Sequence, residues 1–483
     1  MLKLFNTLDK KTEEFKPINE IVRIYTCGPT VYGFQHIGNY ASYIYWDLLI
    51  RTLLLNGFRV KRVLNLTDVG HLTSDGDEGE DKLEKGAERE GKSVYEIAEF
   101  YSKDFLRNFR ALGLVEPDVI AKATDYIEDD MKAVDKMTEN GFTYETTDGI
   151  YFDTAKFAGY GDFARLDLEG LKAGARVGFS DEKKNVTDFA VWKFIKPGEK
   201  HAMRWDYLGR PGYPGWHLEC STIIDKELGS PIDIHTGGID HIPVHHTNEI
   251  AQTYAMTGRS LAKYWLHCNF ITIDGEKISK SLGNIYTLDD LEKRGFSAMD
   301  YKMWVLSGHY QGTRNFTFES LEAAKNRRLN WRNRIALLYQ RVTSTGDVAK
   351  SHNSLGGSCR ASSPKILPSA NILGVPLCAP PPDDTFNKIL SAVNNNLNSA
   401  EAFAVIDTSG LTMGDWEKVD ELFGLNLIAD TPDISEKSYA LIKEREVARK
   451  DKNFARSDEI RDELIREGIT VKDTPDGPIW QYI

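Results

Sequence analysis

The sequence predicts an α/β fold in which helices cover a parallel sheet, with an inserted subdomain and mostly helical domains after it. Residues 18–27 are apolar and β-branched, the turn-forming segment GPTVYGFQHIGN follows, and residues 40–56 have the pattern of a long amphipathic helix. A second apolar strand is predicted at residues 60–67. This alternation of strands and helices is typical of a parallel sheet covered by helices.

The later elements follow from changes in the pattern. Between residues 117 and 215 short strands and turns replace the helical pattern, which predicts an inserted α+β subdomain, and PIDIHTGG then has the pattern of a buried strand meeting a glycine-rich loop. Residues 284–341 are helical in pattern, whereas residues 342–383 are rich in Ser, Pro and Gly and indicate a linker. The C-terminal segment predicts two helices and a short hairpin.

Length and composition limit the class of protein. The 483 residues are too many for one core, and a typical domain length predicts roughly three domains. No apolar run approaches the roughly 20 residues that span a bilayer, so we expect no membrane insertion. The N-terminal segment lacks a secretory signal pattern, and five widely spaced cysteines argue against a disulfide framework. These features predict a cytoplasmic protein.

The charge distribution gives a weaker indication. A net charge of -12 lowers the expectation of nucleic-acid binding, which only local basic clusters would support. Residues 72–92 are mostly charged, Gly and Ser, and predict an exposed insertion. Two basic clusters suit phosphate contacts, with a solvated helix face as the alternative for each: Arg327, Arg328, Arg332 and Arg334, and then Arg445, Arg449, Lys450 and Lys452.

Two short motifs have the residue types that bind phosphate. The segment HIGN (His36 to Asn39) begins a predicted helix, whose N-terminus presents free N–H groups and partial positive charge. In KISKS, Lys277 and Lys280 are placed to neutralise charge on a departing pyrophosphate. Taken alone, a glycine-containing turn with a surface histidine and a solvated basic loop explain these motifs better.

A third set of residues has the composition of a metal site. His245 and Glu249 are four residues apart on a predicted helix and therefore share a face. Cys27 and Cys220 would complete four ligands of the types that zinc binds. Two buried free cysteines and an ordinary polar helix are an equally good interpretation at this stage.

In this order along the chain, the segments resemble the cysteinyl-tRNA synthetase family. CGPTVYGFQHIGN is similar to that family's zinc cysteine followed by the class I HIGH signature, and GYPGWHLECS to its second zinc-cysteine segment. DIHTGGIDHIPVHHTNEIAQ resembles its histidine and glutamate segment, and KISKSLGN its KMSKS signature. The resemblance covers nearly all of residues 1–340 and resumes in NNNLNSAEAFAVI and ARSDEIRDELIREGITVKDTPDGPIW.

The resemblance implies an activity and a set of partners. A Rossmann-like catalytic domain with a connective insertion would activate L-cysteine with ATP and Mg²⁺ to cysteinyl-adenylate, and would transfer cysteine to the 3′ end of tRNA(Cys). One Zn²⁺ would read the sulfur atom that distinguishes cysteine from serine. The family resemblance also implies a monomer.

The resemblance implies roles for individual residues. Zinc would bind to Cys27, Cys220, His245 and Glu249, and catalysis would depend on His36, Asn39, Lys277 and Lys280. Asn39 replaces the last histidine of the HIGH signature; it keeps a hydrogen-bond donor but cannot carry charge. Thr67 would lie near the substrate amino group and Trp216 near its side chain. The other expected binding residues are Gly28, His217, His235, Gly237, Gly238, Asp240 and again Lys280, although packing alone would explain the two histidines equally well.

The predicted domain boundaries follow these segments. They are 1–116 and 216–275 for the two halves of the catalytic domain, 117–215 for the insertion, 276–325 for the KISKS-containing stem-contact region, 326–425 for a helical domain interrupted by 342–383, and 426–483 for a small anticodon-binding-like domain.

Two other functions stay open. A cysteine ligase that transfers cysteine to an amino sugar resembles the same catalytic head but lacks the tRNA-reading tail that this sequence retains. A catalytically silent RNA-binding paralogue would have no chemical need for an intact KISKS motif and a complete ligand set.

Overall fold

The computed structural model describes residues 1–70, 84, 87, 91–166, 182–196, 198–199, 201–215, 217–279, 281–344, 384–474 and 477–483. Nearly all of the predicted linker and of the predicted charged insertion lies outside these residues, as do Trp216 and Lys280, while residues 342–344 of that linker end a helix. The chain forms two compact units: residues 1–325 with 391–402 and 422–425, and residues 326–390 with 403–421 and 426–483. No helix within the described ranges has the length and apolar character needed to cross a membrane.

The first half of the large unit alternates strands with helices, as the sequence predicts. A short antiparallel ribbon precedes three strands of a parallel sheet. In chain order the elements are β1 (Lys3–Asn6), β2 (Lys11–Glu14), β3 (Ile21–Thr26), α1 (Ile37–Leu55), β4 (Arg59–Leu66), α2 (Val94–Ala111) and β5 (Val119–Lys122).

The insertion consists of a helix and an antiparallel sheet. Its elements are α3 (Ile127–Glu139), β6 (Thr143–Glu145), β7 (Gly149–Phe152), β8 (Phe189–Phe194), β9 (Trp205–Tyr207) and β10 (Arg210–Pro214). The strand order is β6-β7-β8-β10-β9, and buried residues of β7 and β8 share one core with α3. The insertion was predicted to begin at residue 117, yet β5 pairs with β4, so the parallel sheet continues past that position.

The second half of the large unit returns to the parallel sheet. Its elements are α4 (Leu218–Glu227), β11 (Ile232–Gly238), α5 (Thr247–Thr257), β12 (Ala262–Cys268), β13 (Ile271–Ile273), β14 (Glu276–Lys277), α6 (Leu288–Lys293), α7 (Ala298–Leu306) and β15 (Arg314–Phe316). β13 pairs with β14 and β15 in a small separate sheet.

The order of the parallel sheet determines where a ligand can bind. The order is β12-β11-β3-β4-β5. After β3 the chain first adds β4 and β5 on one side of β3, and later adds β11 and β12 on the opposite side. In open parallel sheets, ligands bind beyond the carboxyl ends of the strands at such a switch point. Here these ends are Thr26 of β3 and Gly238 of β11.

A buried ion pair joins α1 to α7. Lys302 Nζ lies 2.8 Å from Asp47 Oδ2, both side chains are fully buried, and Arg51 Nε lies 2.8 Å from the same oxygen. The other carboxylate oxygen accepts a hydrogen bond from the backbone N–H of Val115. A buried carboxylate is tolerated when its partners satisfy it in this way. At the start of α1, the Tyr301 hydroxyl donates to the carbonyl of Ile37 at 2.6 Å.

The remaining elements are helical and end in a hairpin, as predicted. They are α8 (Phe318–Ser344), α9 (Asp384–Asn394), α10 (Ser399–Thr408), α11 (Met413–Phe423), α12 (Glu436–Lys450), α13 (Phe454–Arg466), β16 (Ile469–Thr474) and β17 (Gly477–Tyr482). Within the small unit, α12, α13 and the hairpin share a core that includes Trp480. The side-chain amides of Asn333 and Gln340 each bond both backbone groups of one β17 residue.

The arginines of α8 bond to protein groups of the small unit. Arg327 contacts Asp407, Arg328 contacts Asp430, and the guanidinium of Arg334 donates to the carbonyls of Ile406 and Ser409. Arg332 similarly donates to the carbonyl of Asp430. In the second basic cluster, Arg445 and Arg449 pair with Asp473 and Lys450 pairs with Glu446. These contacts favour the structural interpretation over phosphate binding for the first cluster and for Arg445, Arg449 and Lys450 of the second.

Candidate active site

The candidate site lies at the switch point of the parallel sheet. Cys27 follows β3 directly, and Gly237 and Gly238 end β11. The turn after β11 leads through a short π-helix, Ile242–His246, into α5. His245 and Glu249 were predicted to share one helix; in the structure His245 lies in the π-helix and Glu249 in α5, and their side chains still meet.

The four predicted zinc ligands converge. One ligand atom from each of Cys27, Cys220, His245 and Glu249 lies within 4.8 Å of those of the other three. His245 Nε2 lies 2.9 Å from Glu249 Oε1 and 3.6 Å from Cys27 Sγ. Two thiols, an imidazole and a carboxylate form a donor set that zinc binds in tetrahedral sites. The arrangement therefore has the chemistry of a metal centre.

The electrostatics of Glu249 provide an independent test of that fit. The side chain is fully buried, and His235 Nε2 lies 2.8 Å from Oε2, yet within the described part of the chain neither oxygen has a donor in hydrogen-bond alignment. Burial raises the pKa of Glu249, but His245 and His235 outweigh burial and hold it well below its usual range. A buried carboxylate without aligned donors suits a bound cation.

The thiols are protonated in the absence of a cation. Burial raises the pKa of Cys27 to about 11, and the hydrogen bond with Cys27 is the main cause that raises the pKa of Cys220. A metal ion reverses this preference, because a coordinating thiol loses its proton. The site residues therefore fit a zinc ion.

Three histidines that the sequence analysis did not assign surround this cluster. His246 Nε2 lies 3.4 Å from Cys27 Sγ, and its Nδ1 lies 2.7 Å from Nε2 of His267. His241 is stacked edge to face against both His245 and His246. Cys27, His235, His246 and Glu249 form a second group with metal-binding spacing, which shares two members with the first. Side chains that contact metal ligands in this way hold the ligands in a fixed orientation.

His217 and His235 both reach the site. His217 Nδ1 lies 2.6 Å from His245 Nδ1, and His217 has a left-handed backbone with φ 84°. A non-glycine residue in this region is strained, and such strain is found where structure fixes a functional side chain. The fully buried ring of His235 stacks on Trp265 with centroids 4.5 Å apart.

The HIGN segment forms the N-terminus of α1. His36 is the N-cap: its Nδ1 accepts a hydrogen bond from the Asn39 backbone N–H, and Asn39 Oδ1 accepts one from the His36 backbone N–H. This reciprocal capping box makes Nδ1 the acceptor, which leaves the proton of a neutral ring on Nε2. Burial lowers the pKa of His36, which also favours the neutral ring.

The KISKS loop lies against this helix start. A β-carbon added to Gly38 would come within 2.8 Å of the terminal methyl of Ile278, so a larger residue there would displace that side chain. Lys277 ends β14 and is exposed, while Asn284 bonds both the Ser279 N–H and the Lys277 carbonyl and fixes the loop. The two signature segments therefore meet across one contact.

Asn65 is a further site residue that the sequence analysis missed. Its Oδ1 accepts from the Gly28 N–H at 2.7 Å and its amide donates to Thr67 Oγ1 at 2.9 Å. A β-carbon on Gly28 would lie 1.6 Å from the Asn65 carbonyl oxygen, so only glycine fits. The sequence offered one indication of this role: Asn65 lies near the end of a buried strand, two residues before Thr67.

The glycines that end β11 lie close to site side chains, which a larger residue at either position would displace. A β-carbon on Gly237 would approach His246 to 2.6 Å, and one on Gly238 would approach Asp240 Oδ1 to 2.2 Å. Backbone that approaches a ligand closely at a strand end commonly requires glycine. At the carboxyl ends of β3 and β11, the structure thus brings together the predicted site residues that it describes there. Trp216 and Lys280 lie outside the described residues.

Comparisons with known proteins identify the family of the chain. Residues 14–326 match the family model described as the tRNA synthetases class I (C) catalytic domain, and residues 431–480 match the cysteinyl-tRNA ligase anticodon binding domain. The chain is 39% identical over 501 residues to a cysteine–tRNA ligase of Treponema denticola, with 100% of both chains covered. It is 40% identical over 482 residues to cysteine–tRNA ligase 1 of Burkholderia lata, with 99% of this chain and 96% of that protein covered.

Solved structures give the fold. Methionyl-tRNA synthetase of Mycobacterium tuberculosis, solved in complex with methionyl-adenylate, aligns with a TM-score of 0.56 at 16% identity. The alignment covers 85% of this chain and 89% of that one. At this identity the likeness shows a class I synthetase fold alone. On the family models and the full-length relatives, the chain belongs to the cysteine–tRNA ligase family of class I aminoacyl-tRNA synthetases.

Proposed function

We propose that this chain activates L-cysteine with ATP to form cysteinyl-adenylate and transfers the cysteinyl group to the 3′ end of tRNA(Cys). The observation that carries the proposal is the convergence of Cys27, Cys220, His245 and Glu249 at the switch point of the sheet. A site of this composition reads sulfur directly, which a pocket that measured only shape would do poorly for cysteine and serine.

These four residues would hold a zinc ion. When bound, zinc supplies affinity for a thiolate and so distinguishes cysteine from serine. His235 and His246 contact the ligands Glu249 and Cys27 and would fix their orientations. His217, held by its left-handed backbone against His245, would shape the wall of the amino-acid pocket.

The start of α1 would stabilise the transferring phosphate. In the first step the cysteine carboxylate attacks the α-phosphorus of ATP, a new O–P bond forms, and the bond to pyrophosphate breaks. His36 would donate from Nε2 and the helix N-terminus would offer N–H groups, while Lys277, Lys280 and Mg²⁺ would neutralise the pyrophosphate. Gly28, Thr67, Gly237, Gly238 and Asp240 would position the amino acid and nucleotide.

The second step transfers the amino acid without a covalent enzyme intermediate. The terminal ribose hydroxyl of tRNA attacks the activated carbonyl, the new ester bond forms, the hydroxyl proton is lost and AMP leaves. Positioning supplies most of the rate enhancement in such a reaction. The anticodon-domain match at residues 431–480 supports tRNA as the acceptor over an amino sugar. We also propose that the protein acts as a monomer in the cytoplasm.

The test is charging of unfractionated bacterial tRNA with radiolabelled cysteine in the presence of ATP and Mg²⁺, with serine in parallel. Base-labile label from cysteine but not from serine is expected. Cysteine-dependent pyrophosphate exchange without labelled tRNA would instead indicate a different acceptor. Absence of both reactions would contradict the proposal and favour a silent paralogue.

Replacing one predicted ligand tests the metal site. Cys220→Ser should lower the zinc content well below one ion per chain and weaken cysteine-dependent pyrophosphate exchange at least about 10-fold, because a hydroxyl is a poor zinc ligand. Cys268→Ser is the matched control, since Cys268 is a buried free cysteine outside both metal-binding groups. The measurements are metal analysis by mass spectrometry and the exchange rate. Full zinc content in Cys220→Ser would refute the assignment.

A further inference from the structure

Three aromatic rings form a partly exposed cluster beside the signature loop. Phe34 lies two residues before His36 and is 53% exposed, and Phe100 of α2 is 44% exposed. The Phe34 ring lies edge to face with Tyr101 at 5.0 Å and with Phe100 at 6.0 Å between centroids. Tyr101 is buried and anchors the other two. We call Phe34, Phe100 and Tyr101 the aromatic platform.

The platform has a cation at its edge. Lys92 Nζ lies 4.8 Å from the centroid of the Phe100 ring. A contiguous group of exposed apolar rings marks a binding surface more often than a single exposed ring does. Exposed rings accompanied by a cation match unpaired nucleotides, whose bases stack on aromatic faces while their phosphates meet positive charge.

The position of the aromatic platform indicates which nucleotide would bind to it. Phe34 belongs to the segment that leads from β3 into the cap of α1, where the proposed function places the adenylate. The acceptor end of tRNA is single-stranded, and its last ribose must come within bonding distance of the activated carbonyl. An unpaired nucleotide close behind that ribose therefore passes beside this segment.

We propose that the aromatic platform stacks an unpaired base of the tRNA acceptor end during transfer. The proposal rests on the proposed function, since it takes tRNA as the acceptor. The adenine of ATP is the other base at this end of the sheet, and the two occupants make opposite predictions. A platform for the acceptor end affects only reactions and binding that include the tRNA 3′ end.

The test compares Phe34→Ala and Phe100→Ala with the full-length parent. Each variant is expected to lower kcat/KM for tRNA in charging by about 10-fold, within the range for loss of one stacked base. Cysteine-dependent pyrophosphate exchange without tRNA, including its KM for ATP, should stay within about twofold of the parent. Phe34→Trp should restore charging, because it keeps a stacking face.

A matched control excludes a general effect of exposed aromatic residues. Tyr254 of α5 is 43% exposed and lies edge to face with Phe142 at 6.1 Å, so Tyr254→Ala removes a comparable ring elsewhere. This variant should charge tRNA like the parent. Phe34→Leu keeps apolar volume without the ring and should behave like Phe34→Ala, which separates loss of stacking from loss of packing.

Binding of trimmed tRNA gives the sharpest result. Removing the unpaired 3′ nucleotides should weaken binding to the parent by about 10-fold more than it weakens binding to Phe34→Ala, since the variant has already lost the stacked base. Equal weakening in both proteins, or a raised KM for ATP in tRNA-free exchange, would overturn the platform. Failure of the proposed function itself is distinct, because then the parent would neither exchange pyrophosphate nor charge tRNA.

Discussion

The amide of Asn39 closes the cap of α1 from the position where the class I signature has its last histidine. Its oxygen accepts the His36 N–H, and its own backbone N–H binds Nδ1 of the same histidine. The side chain thus acts through His36 and is a positioning residue. Loss of charge at this position leaves the capping geometry intact, which explains how asparagine can serve there.

Two substitutions at Asn39 separate capping from catalysis. Asn39→Ala removes the acceptor and should cost about 1 kcal/mol of unfolding free energy, together with about a 10-fold loss of kcat in pyrophosphate exchange. Asn39→Asp keeps an acceptor and should unfold like the parent, yet its negative charge beside the phosphates should slow exchange by a similar factor. Urea unfolding and exchange kinetics measure the two effects.

A capping box elsewhere in the chain is the control for the Asn39 variants. Thr412 and Asp415 form a cap of the same kind at α11 of the small unit, outside the candidate site, so Asp415→Ala should lower stability without a specific loss of kcat. An Asn39→Asp variant with full exchange activity would contradict the placement of the phosphates at this helix end.

The signature and ligand residues could be named from the sequence because they occur in segments with a recognisable order. Asn65, His246 and His267 could not, since each has partners far away in the chain, and His241, which contacts the nearby His245 and His246, belongs to no motif that singles it out. Asn65 meets Gly28 across neighbouring strands, and His246 meets His267 across the sheet end. The sequence around such a side chain does not show which distant element it will contact.

At the scale of elements, the ion pair of Asp47 with Lys302 and Arg51 links α1 to α7. Burial alone raises the pKa of Asp47, but Arg51 and Lys302 outweigh it and lower the pKa to about 2 from its ordinary value of 3.8. A carboxylate with a depressed pKa stabilises the fold above its unfolded pKa, and this contribution is lost as the pH falls through the folded value. The relevant window is therefore about pH 5 to 2.

Removing this carboxylate should change the acid response of the protein. The depressed pKa corresponds to about 2 kcal/mol of stability at neutral pH. The difference in urea midpoint between the parent and Asp47→Asn should be large at pH 6 and much smaller at pH 2.5. Glu20→Gln is the control, because the side chain of Glu20 is 82% exposed. An equal difference at both pH values would refute the coupling.

The pattern of apolar residues predicted the strands and helices of the large unit well, because its period shows which face of each element is buried. It misplaced the start of the insertion, since β5 is short and its parallel pairing with β4 is a tertiary property. It also gave one helix where the chain has a π-helix followed by α5. A single wide turn leaves the spacing of apolar residues nearly unchanged, so the sequence does not reveal it.

For the molecule as a whole, charge clusters in the sequence did not identify a phosphate-binding surface. All four arginines of the first cluster bond carboxylates, hydroxyls or carbonyls of the small unit. Composition records how many cations a helix carries, but the fold decides which of them are neutralised. The chain's net charge of -12 therefore makes any remaining exposed cation more important for tRNA binding.

Arg334 tests this distinction. Arg334→Gln removes donors to two carbonyls and should lower the thermal midpoint of the small unit, because a hydrogen bond of this kind contributes about 1 kcal/mol to stability. The slope of log tRNA affinity against log salt should not change. A slope reduced by about 1 would instead give Arg334 a phosphate contact. Lys452, which has no carboxylate partner among the described ion pairs, is the comparison variant.

The strand order has a consequence for the protein while it is being made. β3 and β11 are neighbours in the sheet, although the insertion and much of the first half separate them in the chain. At roughly 5–20 residues per second, a ribosome needs on the order of 10 s or more between completing the first strand and completing the second. For that interval one edge of β3 faces the nascent chain's surroundings unpaired. The length of chain between the two strands, the insertion included, thus sets how long this edge is open to edge-to-edge association.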